Sequence, residues 1–441
     1  MDVELRKGNA KEGADHAELS GNRGNSGGIW MTSSLGSAGL PPEFHHSHKI
    51  NKRSEISLAS SNLSVALSER TLQHHTLSLS RMTTKLLARY PWTSSPFIVA
   101  APMRVMSGPA LALNVSSAGG LGFIGPGVKT QKTHEDLEET LTLIRKQRTE
   151  TPALQSLFPP TSSLLPVGVG FQLWGDDLEV AVTAIEKFKP CAAWLFAPRE
   201  GSREYDLWSR RIREVSPETQ IWIQIGTLKE AKQLLQISER PDVVVVQGAE
   251  SGGHGRSEDG MGIMSLFPEI ADALEKSHIP LIAAGGIADG RGVAAALCLG
   301  ASGVAMGTRF LAANEARISK GYQDEIVRAT DGAASTKRTL LYNHLRGTFG
   351  WPAGYSPRTI INKSFHEHQA GTPFEELKKR HDESSKLGDA GWGQEGRLAT
   401  YAGASIGLIP DVRAAKSIVQ GIQKDTLQRI GSLGQDTLPR M

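Results

Sequence analysis

Between residues 97 and 306 the chain repeats one pattern eight times: a short, apolar, β-branched run followed by a longer stretch with helical spacing. The runs are Phe97–Ala101, Leu121–Ile124, Val167–Phe171, Ala193–Phe196, Ile221–Ile225, Val243–Gln247, Leu281–Ala284 and Gly303–Met306. Apolar runs of this length, without polar alternation, suit strands covered on both faces, as in parallel sheets. The intervening segments place apolar residues on one helical side: Leu137, Leu141 and Ile144; Leu228, Ala231, Leu234 and Leu235; Val293, Ala296 and Leu297. Eight strands alternating with helices predict a closed (β/α)8 TIM barrel of the α/β class rather than an open sheet. The second connection is irregular, because the proline-bearing residues 151–166 form a long loop.

Outside the alternation the composition changes. Residues 1–84 are rich in Ser, Gly, Asn and His, with Trp30 and Phe44 as their aromatics. So few core formers cannot offset the entropy of ordering, so this leader is expected to be disordered. Its cluster His45, His46 and His48 is read as solvated rather than metal-binding, and Met82 is an alternative start. The barrel is assigned to residues 85–311. Residues 312–390 carry helical patterns and the Pro/Gly-bearing stretch Trp351–Pro357, too long for a plain loop. They are expected to form a helical insertion covering the barrel mouth. Residues 391–441 return through the Gly-rich stretch Gly391–Gly407 to a final helix of about ten residues starting near Pro410.

A formal charge of +3 over 441 residues, with no basic stripe, makes nucleic acid a poor partner. Cys191 and Cys298 are too few for a disulfide framework or metal cluster, and both lie in apolar segments where a thiol packs as a small hydrophobe. No run approaches the roughly 18 apolar residues of a spanning helix. Asp2, Glu4, Glu12 and Asp15 are unlike a secretory or transit peptide. A reducing, cytoplasmic location without membrane contact is the resulting expectation.

In a barrel of this kind chemistry sits at the carboxyl ends of the strands. Unusual residues cluster at six of those ends. The first strand ends in Ala101-Pro102-Met103, small enough for a backbone turn to lie against a planar ligand. Gln172 and Gln224 end the third and fifth strands, each offering a donor and an acceptor. After the sixth strand comes Gln247-Gly248-Ala249-Glu250-Ser251-Gly252-Gly253-His254-Gly255, a glycine-dense loop whose amides can approach an anion or ring closely. His254 is the one histidine at these strand ends, and an imidazole can exchange a proton near neutral pH. The last two strands end in Ala284-Gly285-Gly286-Ile287 and Met306-Gly307-Thr308-Arg309. Loops there commonly cradle a phosphate, here with Gly286, Gly307 and the Thr308 hydroxyl.

The segments Gln247–His254 and Ala283–Ile287, with Met306-Gly307-Thr308-Arg309-Phe310, resemble the nitronate monooxygenase family, formerly 2-nitropropane dioxygenases. Ala101-Pro102-Met103, Val115–Gly122 and Tyr401-Ala402-Gly403-Ala404 extend the resemblance over about residues 86–420. It implies a barrel holding non-covalent FMN, and oxidation of alkyl nitronates, sometimes neutral nitroalkanes, by O2 to a carbonyl compound and nitrite. It further implies that Ala101, Pro102, Met103, Gln172, Gln224 and Gln247 neighbour the flavin. Ser251, Gly252, Gly253, Gly285, Gly286, Met306, Gly307 and Thr308 would complete the cofactor set, and His254 would be the catalytic base for neutral nitroalkanes. The partners so implied are a small nitronate or nitroalkane and O2, with homo-oligomerisation left open.

Three rivals stand beside this reading. One keeps barrel and FMN but takes hydride from NAD(P)H, as quinone and enoyl reductases do. Another is the inosine monophosphate dehydrogenase class, which needs a cysteine at the barrel mouth; Cys191 at a strand start and Cys298 inside a helix disfavour it. The third is a flavin binder without activity, which the presence of His254 disfavours.

Overall fold

The computed structural model describes residues 83–150 and 162–436. The expected leader, save residues 83 and 84, lies outside the described residues with its histidine cluster and Met82, as does 151–161 of the proline-bearing loop. Eight parallel strands close into a barrel: β1 (Ile98–Ala100), β2 (Leu121–Ile124), β3 (Leu165–Gln172), β4 (Pro190–Phe196), β5 (Gln220–Ile225), β6 (Val243–Gln247), β8 (Leu281–Ala284) and β9 (Gly303–Met306). The ring shuts where β1 pairs with β9, Val99 opposite Ala305.

Two clusters explain the unbroken apolar runs. Val99, Phe123, Trp194, Trp222, Val245, Ile282 and Ala305 fill the barrel interior. Their sequence neighbours Ile98, Ala100, Ile124, Val244, Val246, Ala283 and Val304 face the surrounding helices. A strand with both faces dry has no place for alternating polar residues. Bulk inside the barrel is balanced by glycine: a Cβ at Gly168 would stand 2.2 Å from the Phe123 ring. Trp194 and Trp222 stack at 5.7 Å, and the Trp222 indole donates to the Tyr90 hydroxyl at 2.9 Å. Helices after the strands start on side-chain caps at Asp177, Thr227 and Asp289, which accept from the first free amides.

The segment beyond β9 holds strands as well as helices. Helices Lys320–Arg328, Leu341–Leu345, Lys363–Gln369 and Phe374–Ser385 accompany an antiparallel sheet of β10 (Thr336–Arg338), β11 (Tyr355–Ile360) and β12 (Thr400–Tyr401). A fourth strand, β7 (Gly253–Arg256), comes from the loop after β6 and pairs with β11, His254 opposite Pro357. The β7–β11 pairing joins residues about a hundred positions apart, and Pro357 and Arg358 interrupt any local strand pattern, so the helical expectation was too narrow here.

The final helix runs Ala415–Asp436, 22 residues against the ten expected. Gln423 anchors it by donating to the carbonyls of Ser94, Pro96 and Gly119, a buried contact that offsets its polar composition. The cysteine expectation holds for Cys191, which is buried, and fails for Cys298, which is exposed. Helix Gly290–Cys298 turns Val293, Ala294 and Ala296 inward, and that register leaves Cys298 on the outer face.

Candidate active site

At the carboxyl ends of the strands lies a cavity of about 1370 Å³, its open mouth included. The fourteen residues expected around a flavin, and His254, all line it. Each turn is shaped by a close approach. A Cβ at Gly170 would meet the Pro102 ring at 2.3 Å, and one at Gly125 would meet the Met103 carbonyl oxygen at 2.1 Å. Ala101 N–H donates to the Met306 carbonyl at 3.0 Å, tying the first turn to the last. The Trp194 indole donates to Gln224 Oε1 at 2.9 Å. That bond fixes the amide and leaves its NH2 group as the donor for a ligand.

The loop after β6 is held from behind by two arginines. Arg338 donates to the carbonyls of Gly253 (3.1 Å), Ala249 (3.1 Å) and Ser251 (3.0 Å), to Ser251 Oγ (3.2 Å), and to the Ser356 carbonyl. Arg358 adds a bond to Ala249 O at 3.2 Å. Burial and the neighbouring Arg358 push the Arg338 guanidinium down to about 10. Gly253, Gly285 and Gly286 have φ of +64°, +96° and +74°, which only glycine adopts cheaply. The return segment after β12 closes the wall: Gly403 N–H donates to Thr308 Oγ1 at 3.0 Å, and Ala404 N–H to the Glu250 carbonyl at 2.8 Å.

Charge in the cavity is one-sided. Arg104 and Arg346 line it, and no carboxylate does among the described residues. Arg104 donates to the carbonyls of Gly127 and Val128, both at 3.2 Å. Glu250 is spent on the Ile263 amide at the start of the next helix. No group of three or more potential metal ligands occurs among the described residues. No helix among them is long and apolar enough to cross a membrane.

His254 sits on β7 where that strand pairs with β11. Trp351 covers one face of its ring, centroids 3.5 Å apart and planes 3° from parallel. Asn343 Nδ2 approaches His254 Nε2 at 2.8 Å. Burial, then the charges of Arg338, Arg104 and Arg346, hold the imidazole down at about 3, with the Asn343 bond opposing. The ring is therefore neutral at ordinary pH.

Sequence reasoning missed Arg104, Arg346, Trp351, Asn343 and Arg338. Arg104 follows Met103 directly and could have been found by extending the first turn by one residue. The other four lie in the long segment after the eighth strand, whose local pattern says nothing about which side chains return to the barrel.

The model of the family described as nitronate monooxygenase matches residues 90–188 and 210–425. The chain belongs to the nitronate monooxygenase family. It is thereby an oxidoreductase enzyme. Nitronate monooxygenase npaC of Metarhizium robertsii is 59% identical over 330 residues, 75% of this chain and 90% of the relative. A nitronate monooxygenase of Neurospora crassa is 33% identical over 363 residues, 79% of this chain and 93% of the relative. Among solved structures, FabK from Thermotoga maritima shares the fold with a TM-score of 0.59 and 25% identity, covering 80% of this chain and 98% of that one.

Proposed function

We propose that this nitronate monooxygenase family member binds FMN without a covalent link in the barrel-mouth cavity and oxidises alkyl nitronates with O2, yielding a carbonyl compound and nitrite. The observation that carries this reading is the convergence of three glycine turns, after β6, β8 and β9, on one cavity lined by arginines and, among the described residues, by no carboxylate.

The residues fit such a group. A Cβ at Gly252 would stand 2.4 Å from Gly403 N, so the turn and the return segment meet at a spacing that only glycine allows. Thr308 Oγ1 accepts from Gly403 N–H, so its own hydrogen is available to a phosphate oxygen, beside Gly286 and Gly307. Gln172, Gln224 and Gln247 line the same cavity as Ala101-Pro102-Met103, and their amides would hydrogen-bond the flavin ring. Bound FMN supplies the electron acceptance and the relay to O2.

The chain's own residues then bind and orient. Arg104 and Arg346 attract an anion to the mouth, and Trp351 and Phe196 exclude water from it. His254 stands beside the substrate as a neutral imidazole. Held down at about 3, it is a weak acceptor for the α-proton of a neutral nitroalkane, which favours the pre-formed nitronate.

An absorbance spectrum of the purified protein, then a nitrite assay with propyl-2-nitronate under air, tests the proposal. A yellow protein releasing nitrite is expected. A colourless preparation that FMN does not reconstitute overturns it, as does fast anaerobic bleaching by NADH with no nitrite from the nitronate.

A further inference from the structure

We propose that Asn343 is a positioning residue that fixes His254 as the Nδ1–H tautomer, so that the imidazole meets the substrate as a hydrogen-bond donor and selects the nitronate anion over the neutral nitroalkane. The inference rests on the nitronate reading above and deepens it.

Three hydrogen bonds carry the argument. Arg346 Nη1 donates to the Tyr401 hydroxyl at 3.1 Å. Tyr401 Oη lies 3.2 Å from Asn343 Oδ1, and Asn343 Nδ2 lies 2.8 Å from His254 Nε2. A guanidinium only donates, so the phenol oxygen must accept from it and keep its own proton for another acceptor. That acceptor is Asn343 Oδ1. The amide NH2 then faces His254, and Nε2 must be the bare nitrogen. The opposite amide setting would turn Nδ2 toward a phenol oxygen already engaged by Arg346 and strand the phenol proton. Asn343 is 1% exposed, so its amide has no water to correct a mismatch.

With Nε2 occupied, the ring's single proton sits on Nδ1. Asn343 is the one hydrogen-bond partner of the ring among the described residues, and Trp351 covers one ring face. Nδ1–H is therefore the polar group His254 offers to the cavity it lines. An N–H aimed at a substrate binds an anionic nitronate oxygen well and abstracts no proton. Asn343 does not line that cavity; it touches two residues that do, His254 and Tyr401, and the bond to His254 Nε2 is the one that sets the tautomer.

The test reads the tautomer directly. Long-range proton–nitrogen spectra of the full chain, labelled with ¹⁵N-histidine and assigned by the signal lost in His254→Gln, report which ring nitrogen carries hydrogen. Wild type is expected to show Nδ1–H. In Asn343→Asp the carboxylate accepts from Nε2–H and frees the Nδ1 lone pair. At pH 8 the preference in kcat/KM for a nitronate over its freshly dissolved nitroalkane should then fall about tenfold. An Nε2–H signal in wild type overturns the inference, and so does an Asn343→Asp protein with tautomer and preference unchanged. Should that variant not fold, Tyr401→Phe removes the phenol proton; a mixed tautomer supports the inference and an unmixed Nδ1–H opposes it. Wild-type nitrite release is scored separately, so failure of the nitronate reading is distinguishable from failure of the Asn343 role.

Discussion

Two adjacent glycines after β6 separate packing from backbone strain, and substituting each by alanine gives unequal expected results. At Gly252 a Cβ would lie 2.4 Å from Gly403 N, 2.5 Å from Ala402 C and 2.9 Å from Ala402 Cα, all backbone. The return segment cannot yield easily. Ala402 is fully buried, Tyr401 N–H donates to the Tyr322 hydroxyl at 2.7 Å, and Gly403 N–H is held by Thr308. Overpacking of this kind costs about 1–3 kcal/mol, and losing the Gly403–Thr308 bond adds about 1 kcal/mol. At Gly253 nothing lies within 4 Å of the added carbon, and the cost is the left-handed φ of +64° alone, about 1–2 kcal/mol. At roughly 2–4 °C per kcal/mol, Gly252→Ala should lower Tm by about 4–16 °C and Gly253→Ala by about half as much, about 2–8 °C. Thermal unfolding followed by circular dichroism measures both, and flavin absorbance after desalting shows whether the cavity wall has moved. Gly252→Ala is expected to lose flavin while Gly253→Ala retains it. Equal Tm shifts with full flavin retention in both would refute the packing argument.

Other perturbations address charge. A Cβ at Gly307 meets only Met103 side-chain atoms, the nearest at 3.6 Å, so Gly307→Ala should keep flavin. Gly307→Asp puts a negative charge into a cavity that no carboxylate lines among the described residues and should cut flavin affinity at least tenfold; equilibrium dialysis with FMN decides, and a protein that purifies yellow would contradict it. Arg338→Met strips the donor from the carbonyls of Ala249, Ser251, Gly253 and Ser356, costing about 3–5 kcal/mol in urea unfolding. Because Arg338 is the foremost charge depressing His254, the same variant should raise that histidine's pKa, read by NMR titration. The histidine also predicts a pH dependence of stability. Its pKa is about 3 folded against about 6.5 unfolded, so below 6.5 the unfolded chain binds a proton that the folded one refuses. Stability is lost as pH falls from about 6.5 toward 3, and the His254 share is about 2 kcal/mol at pH 5. Comparing urea midpoints at pH 7.5 and 5 for wild type and His254→Asn isolates that share, which should vanish in the variant.

The barrel could be read from the chain because its cause is local. A strand dry on both faces must be apolar at every position, and eight such runs between helical segments leave a closed parallel sheet as the natural arrangement. The residues at the strand ends were legible for the same reason, since strand order alone brings the turns after β6, β8 and β9 to one rim. Closure of the site was not legible. Which strand of the later segment pairs with Gly253–Arg256, and which side chains reach His254, depends on contacts between residues some hundred positions apart. Asn343, Arg346 and Trp351 carry no pattern that marks them as neighbours of an imidazole. The chain alone therefore determined the barrel, the rim and the presence of a histidine on it. Tertiary packing decided that this histidine is stacked, desolvated among arginines and bonded at one nitrogen, because proton affinity is set by everything that surrounds the ring and by nothing in its own sequence neighbourhood.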